Sequence, residues 1–94
     1  MAIWIRKVSE DKSINFLKLA EDDWNLMSQF EAFSSWLDSG AEALDSNFEW
    51  IADIGFRQRA DATGGGPVIS RDVMAACLKY NITIFLSEYG GENA

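Results

Sequence analysis

The chain has 94 residues, 48% hydrophobic and 24% charged, with eight Lys and Arg against fifteen Asp and Glu, a net charge of −7. That is the composition of one globular domain rather than a disordered segment, and an acidic excess of this size excludes attraction to nucleic-acid phosphates or anionic membranes. The absence of histidine also excludes Ser-His-Asp and Cys-His catalysis and any metal site built on imidazole.

Residues 2–8 are rich in β-formers, with Ile3 and Ile5 on one face and Trp4 on the other. Ser9-Glu10-Asp11-Lys12 is a polar turn, and Ile14–Leu19 is expected to return as a second strand, closing a hairpin, although the same residues also suit a helix. Asp22 and Asp23 suit the opening of a helix, where carboxylates accept from free N–H groups. Leu26, Phe30, Phe33 and Leu37 then recur on one helical stripe, flanked by Met27 and Trp36, and Gly40 is expected to end the helix in a left-handed conformation.

A second helix is expected from Ala41 or Asp45 to Ile54, because Leu44, Phe48 and Ile51 repeat at helical spacing. Residues 56–63 fit either a helix continuation or a short strand. Gly64-Gly65-Gly66-Pro67 is a break; it lacks the lysine of a phosphate loop and reads as a flexible connector. Ser70 caps a third helix from Arg71 to Tyr80, with Asn81 at its end and Cys77 as a small buried hydrophobe within it. Ile82–Tyr89 alternates as the clearest strand, and residues 90–94 are expected to fray.

The order β-β-α-α-α-β implies an α+β domain: a small, mostly antiparallel sheet with helices on one face and the last strand beside the first. One domain is expected over residues 1–94. The outer sheet face would carry Trp4, Phe85 and Tyr89, an aromatic set that suits a homodimer contact. Cys77 is the only cysteine, so no internal disulfide can form. The start of the chain has neither the charge order of a signal peptide nor the length of a membrane span, so a cytoplasmic location is expected.

Charge is the most informative pattern. Between Lys18 and Arg57 there is no basic residue, while Glu21, Asp22, Asp23, Glu31, Asp38, Glu42, Asp45, Glu49 and Asp53 all fall inside that interval. On the expected second helix, Glu42, Asp45, Glu49 and Asp53 share a side, with Trp50 and Ile54 beside them. Carboxylates would steer a basic surface and set its register, and a tryptophan among them would supply the desolvated anchor. The sequence therefore points to a non-catalytic acidic interaction module of inhibitor, immunity or nucleic-acid-mimic type. Its partner is a basic protein surface rather than nucleic acid or membrane, and it needs no cofactor or metal. An alternative of another class is a small-molecule sensor or carrier. Its pocket would be walled by Phe33, Trp36, Phe56 and Tyr80, with Arg57 or Arg59 orienting an anionic group.

Overall fold

The computed structural model describes residues 2–90. Its elements follow the order β1 (Ile3–Ser9), β2 (Lys12–Leu19), α1 (Leu26–Ser39), a 3-10 turn at Ala41–Ala43, β3 (Glu49–Arg57), α2 (Arg71–Tyr80) and β4 (Ile82–Tyr89). The four strands form one mixed sheet in the order β2-β1-β3-β4, in which β1 is antiparallel to both neighbours and β3 runs parallel to β4. The architecture is α+β, with two helices rather than three.

The expected second helix is the main correction. After the 3-10 turn the chain passes through Asp45-Ser46-Asn47, turn-forming residues, and enters β3. There Trp50, Ala52 and Ile54 point into the core, facing Lys7, Ile5 and Ile3 across the β1 ladder. A helix would scatter these three side chains over several directions, whereas a strand puts all of them on one face. Residues 56–57 complete β3 and the following loop contains no strand or helix. Because β3 occupies the place beside β1, β4 pairs with β3, which corrects the expectation that the last strand lies beside the first.

The core lies between one face of this sheet and the two helices. Phe30, Phe33, Trp36 and Leu37 of α1 and Val73 and Cys77 of α2 meet Ile3, Ile5, Trp50, Ala52, Ile54 and Ile82. Of the stripe read from the sequence, Leu26 is only partly buried and Met27 faces out. The Cys77 thiol is buried, and that burial pushes its pKa up.

Helix ends follow local chemistry. Asn25, not Asp22 or Asp23, is the N-cap of α1, its side chain accepting from Ser28 N. Asp23 supports it from one turn earlier, with Oδ1 accepting from Asn25 N and Oδ2 from Ser28 Oγ. At the other end Gly40 has φ −124°, so it is not left-handed. Its small size is required by the Trp36 ring, since a Cβ there would stand 2.6 Å from Trp36 Cδ1. On α2, Ser70 caps and Asn81 ends the helix in the left-handed conformation, φ 58°.

Candidate functional site

β3 distributes the acidic residues differently from the stripe expected of a helix. Trp50 is 2% exposed and Ile54 fully buried, so neither is available as an anchor for a partner. Trp50 instead closes the turn before it, its Nε1 donating to Asp45 O at 2.9 Å while its ring meets the edge of Phe16. Asp53 also leaves the recognition set. It lies on the helix-free face of the sheet, where Arg6 Nη1 donates to its Oδ2 at 2.9 Å and Ser87 Oγ to its Oδ1 at 2.6 Å. Arg6 Nε in turn donates to Asn15 Oδ1, so one polar row runs across all four strands. Glu42, Asp45 and Glu49 remain exposed.

Exposed acids gather instead on the helix layer. Glu31 and Asp38 lie on the outer side of α1 and Glu42 follows on the 3-10 turn, all exposed and spaced at one to two helical turns. Of the nine acids from Glu21 to Asp53, Asp53 meets Arg6 and Glu21 lies 3.7 Å from Lys18; the other seven have no Lys or Arg nitrogen within 4.0 Å among the described residues.

The cations are engaged elsewhere. Lys7 lies over Phe48, Lys18 over Trp4, Arg57 over Trp24 and Lys79 over Tyr80, with ring distances from 4.0 to 5.2 Å. Such contacts hold a cation on a ring without neutralising a carboxylate. Beside the acidic side of α1 runs a groove of about 250 Å³, lined in part by Met27, Phe30, Glu31, Pro67, Val68 and Val73.

The residues proposed as pocket walls are only partly brought together. Phe33 and Trp36 stack on each other inside the core, and Tyr80 sits at the far end of α2. Phe56, Arg57 and Arg59 do share a cleft of about 300 Å³ with Asn25, Met27 and Pro67. It lies beyond the carboxyl end of β3, the place where open α/β sheets bind ligands. Its charges are already used: Arg57 lies 4.2 Å over Trp24 and Arg59 Nη2 donates to Gly64 O, while at the start of α1 the Asp23 carboxylate accepts from Asn25 N and Ser28 Oγ. Trp24 itself meets Tyr89 edge-on at 5.7 Å.

One buried polar residue escaped the sequence reading. Gln29 is fully buried, and its Nε2 donates to both Asp23 O and Gly55 O at 2.7 Å, tying the start of α1 to β3. Those two carbonyls fix the amide orientation, leaving Oε1 without a donor among the described residues. Helical spacing does place it beside the stripe, three residues after Leu26 and four before Phe33, but its polar side chain kept it from being read as core.

Trp4, Phe85 and Tyr89 all lie on the helix-free face, with Phe85 the most exposed. Among the described residues no three Cys, Asp or Glu side chains gather to hold a metal ion, and no helix is long and apolar enough to cross a membrane. Compared with protein-family models, with curated proteins and with solved structures, the chain matches none.

Proposed function

We propose that the chain is a small acidic, non-catalytic interaction module that binds a basic protein surface, as an inhibitor, an immunity-type protein or a nucleic-acid mimic would. The observation that supports it is the separation of charge. Among the described residues, carboxylates of the helix layer stand without cations of their own, while four of the chain's eight Lys and Arg rest on aromatic rings. Unrelieved like charge favours a partner of opposite sign and speeds its approach. The docking side moves from the β3 acids to α1. Glu31, Asp38 and Glu42 steer, and Met27 with Val68, both exposed apolar residues at the adjoining groove, supplies the desolvated contact.

The test is association kinetics with the partner captured by cross-linking in the native host. Glu31→Gln, Asp38→Asn and Glu42→Gln together should slow association roughly tenfold or more and flatten its salt dependence. An unchanged rate would remove this reading.

The cleft at Phe56, Arg57 and Arg59 favours a second reading, a sensor or carrier for a small anionic ligand. It ranks lower because the Asp23 carboxylate already sits at the helix start and Arg57 is stacked on Trp24. Saturable binding of a carboxylate or phosphate compound, lost in Arg59→Gln, would reverse the order.

A further inference from the structure

The two edges of the sheet are built differently. β2 carries Lys12 and Lys18, and a bulge interrupts its ladder where Ile5 pairs with Leu17 but Arg6 with Asn15. Charge and bulges are the usual means of keeping a sheet edge from pairing. β4 is less protected: eight residues pair with β3 without a bulge, Glu88 is the strand's single charge, and no strand lies on its other side among the described residues.

The backbone of that edge is ordered for pairing. Trp50 N donates to Asn81 O at 2.8 Å, which fixes the phase of the parallel ladder. Thr83, Phe85, Ser87 and Tyr89 therefore direct their N–H and C=O groups to β3, and Ile82, Ile84, Leu86 and Glu88 direct theirs away from the sheet. Apolar side chains flank this row. Leu86 is 50% exposed on the helix side, and Met74 and Leu78 of α2 are exposed as well, Leu78 at 82%. Together with Cys77, Ile82 and Ile84, Met74 and Leu78 enclose an apolar groove of about 310 Å³.

We infer that β4 pairs with β4 of a second copy of this chain, antiparallel about a twofold axis at Phe85, making a continuous eight-stranded sheet. That register sets Ile84 opposite Leu86 and Ile82 opposite Glu88, so each outward backbone group of the four meets one of its counterparts. No other centre on the strand pairs all four. It also keeps both helix layers on one side of the sheet and brings the two α2 helices toward the axis.

Charge agrees with a copy as the occupant. Glu88 arrives beside the end of α2 that carries Lys79, while Glu31 and Asp38 of α1 border the opposite end of α2, near Ser70 and Val73. A stable dimer takes about 800 Å² from each partner, more than one strand edge supplies, and Met74, Leu78, Leu86 and Phe85 widen the contact on both faces. This pairing is independent of the reading of α1 as a docking side, which stays exposed in the dimer.

Analytical ultracentrifugation of the full chain across the micromolar to millimolar range, with amide hydrogen exchange at each end of the series, tests it. The expected result is a monomer–dimer equilibrium in which Ile82, Ile84, Leu86 and Glu88 lose protection on dilution while Thr83, Phe85 and Ser87 keep theirs. Leu86→Pro, whose missing N–H faces away from β3, should leave the circular dichroism unchanged and the chain monomeric. Leu78→Lys, on the exposed side of α2, should weaken the dimer at least tenfold without touching the core. A monomer at every concentration overturns the inference. So does a dimer whose alternate β4 amides stay unprotected, since that places the contact elsewhere, for example on the Trp4 face.

Discussion

The two sides of β3 use the same backbone for opposite chemistry. Toward the helices, Trp50, Ala52 and Ile54 close an apolar core; toward the bare face, Glu49 and Arg57 are exposed, Ile51 is half-buried and Asp53 meets Arg6 and Ser87. The one carboxylate–guanidinium pair of the described residues, Asp53 with Arg6, lies on the bare side, where partial exposure lowers the cost of taking charge out of water. Carboxylates of the helix layer have no such partner. The difference teaches that a count of acids says little about which of them a binding partner can meet: strand periodicity withdrew Asp53 and left Glu31, Asp38 and Glu42 outside.

The sharpest way to break this contrast is to truncate a tryptophan on each side. Trp50→Ala removes a buried ring that fills the core and holds Asp45, so urea denaturation should show a loss of about 3–5 kcal/mol. Trp4→Ala acts on a partly exposed ring covered by Lys18 and should cost about 1 kcal/mol. Equal losses would mean that the helix-free face is covered as thoroughly as the core. Next in size is the polar row. Asp53→Ala should cost about 1–3 kcal/mol, and a double-mutant cycle with Arg6→Ala should return a coupling of about 1 kcal/mol, since both side chains keep some contact with water. A coupling near zero would reduce the pair to a surface contact.

Gly40→Ala probes the helix layer from outside. The added methyl meets the Trp36 ring, which the core holds in place, and a loss of about 1–3 kcal/mol is expected from the shift in thermal midpoint. The sequence marked this glycine as a helix end but for another reason, a left-handed φ that the chain does not adopt there.

That case shows what was legible and what was not. β1, α1, α2 and β4 were readable because each carries one uninterrupted period, with Ser70 and Asn81 marking the limits of α2, and β2 from its β-formers after a polar turn, although its alternation changes phase at the bulge. β3 was not. Leu44, Phe48 and Ile51 happen to satisfy helical spacing, although they belong to a turn and a strand, and they outweighed the alternation of Trp50, Ala52 and Ile54. A central strand carries apolar residues on both faces, here Ile51 as well as Trp50, so its two-residue period is blurred where it matters most. The site suffered with it. Exposed acids on α1 could be read from the helical pattern, but the burial of Asp53 depends on Arg6 and Ser87, distant in sequence and joined only by the sheet.

The smallest expected effect is at the hairpin between β1 and β2, on the protected edge. Ser9 pairs with Lys12, leaving Glu10 and Asp11 at the tip, and Glu10 has φ 57° while Asp11 does not share that region. A positive φ at the first tip position is where glycine is favoured, because a Cβ there crowds the following carbonyl at a cost of about 1–2 kcal/mol. Glu10→Gly removes that strain but adds freedom to the unfolded chain, about 0.5–1 kcal/mol against it. The net gain should be about 0.5 kcal/mol in chemical denaturation. Glu10→Ala serves as the control, since it removes the same negative charge and keeps the Cβ. If alanine stabilises as much as glycine, repulsion from Asp11 and not backbone strain limits this turn.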